Sequence, residues 1–380
     1  MTEATRTIND TPEPQYLYMS MELGEEKWKF GFTIGLGQKP RLREVAARDR
    51  AGVKQEIQLA KERFGLPPDG LVRSCYEAGR DGFWVHRFLS SLGVANLVVD
   101  SASIEINRRK CRAKTDKMDA WKLLTMLLRD YLGETKVWSV VHVPSLEEED
   151  HRQLHRELMA LRAEQTHYTN QIKGLLASQG MVLPFRKNFL DQLETARLWD
   201  GSPLPAGLHT RLKRDLERYD LVKQQINQLE AEREELVRTS TDPAVKQVRQ
   251  LLQLQGIGMN SAWLFVMEFF SWRGFHNRRE IGSLAGLTPT PYQSGESNRE
   301  QGISKAGNRR IRTMAVEIAW SWLRYQPDSE LSQWYQERVA DGGKRARRIG
   351  IVALARRLLV DLWKYLERGE IPQGAFLKSV

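Results

Sequence analysis

Four acidic residues stand where the chain changes element: Glu22 ends one apolar run, Glu77 follows another, and Asp116 and Asp119 open a helical pattern. Carboxylates carried on two strand ends and a nearby helix can converge on one point. The three-residue spacing puts Asp116 and Asp119 on one helix face. An all-carboxylate set binds hard cations through oxygen. It suits two Mg²⁺ ions about 3.5–4 Å apart, one activating an attacking oxygen and one stabilising the leaving oxygen of a phosphodiester. Taken singly, each acid reads as an ordinary turn or surface residue, and Asp116 as a helix-start residue favoured by the macrodipole. Their joint order is what points to chemistry. The run Arg108, Arg109, Lys110, Arg112 and Lys114 precedes the aspartate pair and sets phosphate-neutralising charge beside it.

A second candidate centre lies far along the chain. Small and turn-forming residues between Leu284 and Ser297 put Ser294 on an exposed loop. Lys305, Arg309, Arg310 and Arg312 follow, cations that can bracket a phosphate and stabilise charge developing on it. A serine nucleophile needs that setting, and a base to take its proton. His276 is the nearest histidine in sequence, so no acid–base partner is visible beside the serine, and the carboxylate region can supply one. Upstream, Gly256-Ile257-Gly258 resembles the turn of a helix-hairpin-helix, whose N–H groups can hold a phosphate. An ordinary interhelical turn would use the same glycines. Lys344, Arg345, Arg347 and Arg348 open a basic helical tail.

The elements that must carry these residues can be read from periodicity. Residues 1–15 are polar, with two prolines, and read as a flexible tail. Tyr16 to Met21, Trp28 to Ile34 and Arg41 to Ala47 have strand composition. Ala51 to Phe64 is helical, Leu71 to Tyr76 a strand, Phe83 to Leu92 a helix, Ala95 to Val99 a strand and Asp116 to Leu128 a helix. A meander followed by alternating helix and strand predicts an α/β domain over 16–145, compatible with an RNase H-like fold. Over 146–241, heptad-like leucines, tyrosines and isoleucines predict two long helices, pairing as a hairpin or as an intermolecular coiled coil. Gln165, Asp215 and Arg233 fall at core-type positions of that pattern. Residues 242–380 read as mainly helical.

Composition bounds the function. The 380 residues carry a net charge of +10, with 41% hydrophobic and 28% charged residues. The basic balance favours a polyanionic partner. Two cysteines exclude a disulfide framework and a cysteine-rich zinc site, and fit a reducing cytoplasm. No apolar run approaches the roughly 18 residues of a membrane span. The 11 tryptophans, some beside arginines, read first as core and second as base-stacking platforms.

The chain resembles the DEDD-type insertion-sequence transposases guided by a bridge RNA, the one-ten family with its one-eleven-eleven relatives. The N-terminal part of the resemblance rests on Met21-Glu22-Leu23-Gly24, Tyr76-Glu77-Ala78-Gly79 and Lys114-Thr115-Asp116-Lys117-Met118-Asp119-Ala120. The C-terminal part, which is more specific, rests on Gly256-Ile257-Gly258, Ala285-Gly286-Leu287-Thr288-Pro289, Ser294-Gly295 and Ile303-Ser304-Lys305-Ala306-Gly307-Asn308. The resemblance implies a RuvC-like nuclease domain, a coiled coil and a serine-bearing transposase domain. It implies Mg²⁺ on Glu22, Glu77, Asp116 and Asp119, and Ser294 as a nucleophile that becomes joined to DNA, with Ser304 as the alternative. It further implies donor and target DNA, a structured guide RNA, and a homodimer or homotetramer in which the acids of one subunit serve the serine of another. The first acid of the family is usually aspartate, and Glu22 is one methylene longer. Two other functions fit the residues: a RuvC-type endonuclease that uses water, and a non-catalytic nucleic-acid scaffold.

Overall fold

The computed structural model describes residues 15–104, 116–186, 188–294 and 297–378. The polar N-terminal residues up to 14, the run Arg108, Arg109, Lys110, Arg112 and Lys114, and Gly295 lie outside the described residues. The chain divides into two compact units, Met1–Pro144 and Ser145–Val380. A five-stranded mixed sheet and many helices give the expected α/β-plus-α class.

In the first unit, β1 (Leu17–Leu23), β2 (Lys27–Thr33) and β3 (Arg41–Ala46) form an antiparallel meander. Then come α1 (Arg50–Arg63), β4 (Val72–Glu77), α2 (Trp84–Ser91), β5 (Ala95–Val99) and α3 (Asp116–Tyr131). The sheet order is β3-β2-β1-β4-β5, with β4 parallel to β1 and β5 parallel to β4.

Side-chain alternation assigns the two faces of this sheet. Leu17, Met19 and Met21 share one face with Trp28, Phe30 and Phe32, all wholly buried, and pack with Val53 and Ile57 of α1 and Val85 and Leu89 of α2. The opposite face presents smaller groups at its centre, among them Ser20, Gly31 and Cys75, and α3 lies on it. A Cβ on Gly31 would come within 2.9 Å of Ser20 Oγ and 3.4 Å of Leu124 Cδ2. Ser20 Oγ donates to the Ala120 carbonyl at 2.7 Å, and Cys75 Sγ to the Leu123 carbonyl at 3.8 Å. Tyr131, at the far end of α3, meets Tyr18 near the start of β1, ring centroids 6.0 Å apart. Helix α3 therefore runs against the direction of β1 and β4, and its first turn lies at their C-terminal ends.

In the second unit, α4 (Leu146–Ala177), the short α5 (Phe189–Thr195) and α6 (Ala206–Thr239) come first. Ser145 and Glu148 form a capping box at the start of α4. The two long helices pack antiparallel within the chain. Leu158 and Leu161 meet Val222 and Ile226, Arg162 pairs with Glu230, and Gln171 Nε2 donates to the buried Asp215 carboxylate at 3.1 Å.

The larger core follows. It is built on α7 (Pro243–Leu252), then on α8 (Met259–Phe265), which continues through a π turn, Val266–Phe270, into α9 (Ser271–Arg273), and on α10 (Arg278–Leu284). Next is a separate antiparallel ribbon, β6 (Pro289–Ser294) and β7 (Ser297–Ile303). Helices α11 (Arg309–Tyr325), α12 (Glu330–Tyr335) and α13 (Lys344–Arg368) complete it. Trp263, Phe265, Phe269 and Trp322 fill its centre.

Ser294 is thus not on a loop: it is the last residue of β6, paired with Ser297. Pro289 and Pro291 argue against a strand in sequence, yet edge strands tolerate proline, and a two-stranded ribbon consists of edges. Among the described residues no helix is long and apolar enough to cross a membrane.

Because Gly31 sets how closely α3 lies on the sheet, Gly31→Val should wedge the two apart. The expected loss is about 1–3 kcal/mol of stability, the usual cost of overpacking, read as a lower urea midpoint with an unchanged denaturant slope.

Candidate functional site

The register of β1 and β4 brings two of the four acids together. Met21 lies beside Tyr76 in the parallel pair, so the next residues, Glu22 and Glu77, are neighbours at the C-terminal ends of adjacent strands. Each stands two residues beyond a contact with α3, Glu22 after Ser20 and Glu77 after Cys75. Alternation turns both toward the face that α3 covers. Glu22 is half-buried and Glu77 exposed.

From the Ser20–Ala120 contact, Glu22 is two strand steps on, about 6.6 Å. Asp116 is four helix steps back from Ala120, about 6 Å in the same direction. Asp119 immediately precedes Ala120. The helix start and the acidic strand ends therefore share one edge of the sheet. Lys29 is the register partner of Glu22 on β2, an opposite-charge placement across antiparallel strands. A set made only of carboxylate oxygens has the chemistry Mg²⁺ requires. Among the described residues, no three His, Cys, Asp or Glu side chains gather closely enough to hold a metal ion. Cys75 is buried in this face, and burial raises its thiol well above the usual range, so it stays protonated.

In the second unit, two turns interlock beneath the β6–β7 ribbon. The N–H groups of Ser304, Lys305 and Asn308 donate to the carbonyls of Thr288, Gly286 and Leu284. Gly286 and Gly307 have φ of +68° and +131°. A Cβ on Gly307 would sit 2.4 Å from the Leu284 carbonyl oxygen. Arg312 Nη1 donates to the carbonyls of Lys305 at 3.1 Å and Ala285 at 3.4 Å, closing the clasp. Asn308 caps α11 by accepting from the N–H groups of Arg310 and Ile311. Arg309 and Arg310 are exposed in that first turn, and Lys305 is exposed just before it.

Ser304 lies at the clasped end of the ribbon and Ser294 at the other. Six strand residues separate the two ends, about 20 Å. The two serines therefore cannot serve one phosphate within one copy.

The Gly256–Gly258 turn joins α7 to α8. Gly256, at φ +85°, approaches α11: its Cβ would lie 3.4 Å from Tyr325 Cβ. The N–H of Gly258 donates to Ser261 Oγ at 3.1 Å. Lys344, Arg345, Arg347 and Arg348 are exposed on the first turns of α13.

A polar cluster that sequence reading missed lies inside this unit. Glu268, in the π turn, is 1% exposed and takes a bidentate pair from Arg156 at 2.6 and 3.0 Å. His155 and Arg233 are also buried. Burial first, then the nearby charge of Arg233, pushes His155 down to about 4; Arg310 and Arg162 act in the same direction and Glu268 opposes them. An acid inside the apolar run Leu264–Phe270 was the available signal, since a buried carboxylate needs a partner.

Residues 248–336, which include the interlocked turns and the ribbon, match the model of the transposase IS116/IS110/IS902 family. A Sinorhizobium fredii protein named as a transposase, y4rJ, is 40% identical over 378 residues, covering 96% of this chain and 95% of that protein. A second from the same organism, y4qE, is 30% identical over 287 residues, 75% of this chain and 65% of its own length. The transposase for insertion sequence element IS1111A of Coxiella burnetii is 26% identical over 231 residues, 60% of this chain and 61% of that protein.

Two outcomes test the local readings. Gly302 has φ +89° with open space around it, so Gly302→Ala costs conformation alone. Gly307→Ala adds a backbone clash and should lose about 1–3 kcal/mol more in denaturant melts. For His155, a folded pKa of about 4 against an ordinary 6.5 means the unfolded chain binds the proton more readily. Its contribution to stability is complete above about pH 6.5 and falls as the pH drops toward 4. The melting temperature should fall across that window, and His155→Gln should flatten the decline.

Proposed function

This chain belongs to the IS116/IS110/IS902 family of transposases, and from that premise we propose that it is the enzyme that cuts and rejoins DNA for an insertion sequence. The observation that carries the reading is the parallel register of β1 and β4, which makes Glu22 and Glu77 neighbours at the sheet edge where α3 begins with Asp116. The meander followed by two parallel strands supports an RNase H-like first unit.

Glu22, Glu77, Asp116 and Asp119 would hold Mg²⁺, which when bound supplies charge stabilisation at phosphodiester oxygens. Ser294 is the nucleophile. Its Oγ attacks phosphorus, its proton passes to a base, and a sugar hydroxyl leaves as the phosphoserine ester forms. A hydroxyl of another strand then attacks that ester, frees Ser294 and reseals the backbone. One ester is exchanged for another at each step, so no external energy source is consumed.

Lys305, Arg309 and Arg310, exposed beside the clasp, meet the phosphates of the DNA, and Arg312 keeps its carbonyl contacts. The basic run Arg108–Lys114 and the basic start of α13 add sequence-independent affinity for nucleic acid. In this reading Ser304 positions the ribbon through its backbone. A guide RNA, and assembly as a dimer or tetramer, belong to the same proposal and follow from the family resemblance.

The test is covalent trapping. The protein is incubated with Mg²⁺, transcribed RNA from the sequence flanking its gene, and labelled donor and target DNA, then resolved on a denaturing gel. A labelled protein–DNA adduct is expected, absent in Ser294→Ala and in Glu77→Gln, with DNA binding retained in both. Cleaved DNA without an adduct points instead to a water-using nuclease. An adduct that survives Ser294→Ala moves the nucleophile, and binding without any cleavage leaves only a scaffold.

A further inference from the structure

The second unit carries a groove of about 1140 Å³ between α10, the base of the β6–β7 ribbon and one face of α13. Its chemistry is divided. Its apolar lining includes Leu287, Ile303, Ile349 and Val352, here called its floor. Ile349 is 53% exposed although it sits among arginines. The lining also carries cations: Arg278 and Arg279 from α10, and Arg345, Arg348 and Arg356 from α13. None of these five pairs with a carboxylate among the described residues. Two further cations are already engaged, Lys364 with Asp361 at 3.4 Å and Arg357 over the Trp334 ring at 4.6 Å. Glu330 and Asp361 are the acids of the lining.

Arg356 lies against α10. A Cβ on Gly282 of α10 would lie 2.9 Å from Arg356 Nε, so the glycine leaves room for that side chain to lie against the helix. A prepositioned guanidinium loses less entropy when it binds. Arg345, Arg348 and Arg356 fall on one side of α13. Eleven helical steps from the first to the last span about 16 Å.

We infer that this groove binds a single-stranded stretch of polynucleotide, its phosphates on the arginines and its bases against the apolar floor. The inference rests on the proposed handling of nucleic acid and assigns one surface to one form of it. A duplex turns phosphate and sugar outward and keeps its bases stacked inside, so it has no use for the floor. A single strand offers both chemistries at once, and its bases tolerate any sequence when they stack or pack on apolar groups. An acidic peptide matches the arginines and leaves the floor unused.

The experiment measures fluorescence anisotropy with the full chain in chelator, so that no strand is cut. The probes are a short labelled oligothymidylate and a blunt duplex of equal length. Arg345→Gln combined with Arg348→Gln should weaken oligothymidylate binding about tenfold. It should also make the log affinity against log salt slope shallower by about 0.7 per arginine removed. Ile349→Ser should weaken the single strand several-fold and leave the duplex unchanged. Lys246→Gln, an exposed charge on α7 outside the groove, is the reference and should bind as the parent does. Melting curves of all variants must coincide for the comparison to stand, and the exposed positions favour that. Parent-like affinity and slope in the double variant would overturn the inference. So would an Ile349→Ser effect of equal size on duplex, or polyglutamate displacing oligothymidylate as well as unlabelled oligothymidylate does. A Ser294-dependent adduct together with unchanged binding removes this groove and keeps the proposed function; groove-dependent binding without any adduct does the reverse.

Discussion

Parallel neighbouring strands cannot be joined by a tight turn, and the pairing of β1 with β4 imposes that requirement on the first unit. Between Leu23 and Val72 the chain must leave and come back pointing the same way. It uses the interval for β2, β3 and α1, which supply an extended sheet and a cover for one face. Strands that point the same way end on the same edge, which is why the last acids of β1 and β4 meet. Lys29 brings one positive charge to that edge from β2. The other face is kept low by Ser20 and Gly31, so α3 can lie close and begin where the acids end.

The second unit solves a different problem. A two-stranded ribbon has little stability of its own, and among the described residues β6–β7 pairs with no third strand. Its base is therefore fixed by backbone contact between two turns, close enough that Gly307 has no room for a side chain. Arg312 directs its guanidinium at carbonyls rather than at solvent. The neighbouring Arg309 and Arg310 remain exposed, because Asn308 starts the helix at that point. One short segment thus divides its basic residues between holding the ribbon and facing outward.

Much of this is legible in the sequence. The strands of the sheet are announced by their composition, α4 and α6 by heptad-like spacing, and the acids by their place at element ends. Even Asp215 and Arg233, charged residues at core-type heptad positions, are buried as the pattern required. Other features arise only from tertiary pairing. The β6–β7 ribbon was hidden by its prolines, although Ser294-Gly295-Glu296-Ser297 carries a short-turn signal of the kind hairpins use. Glu268 and Arg156 are 112 residues apart and look unrelated until α4 packs against the π turn. The groove arginines come from α10 and α13, and a linear scan finds only the dense start of α13. Which strands neighbour one another also has no linear signature, since alternation marks a face and not a partner.

The paired helices α4 and α6 have a metric meaning as well. Helix α6 has 34 residues, about 51 Å at the α-helical rise. On duplex DNA that distance is about 15 base-pair steps, close to one and a half turns. Contacts made at opposite ends of such an arm would meet opposite sides of a straight double helix. If the proposed handling of DNA uses both ends of the pair, lengthening or shortening both helices by whole turns would change that phase as well as the span.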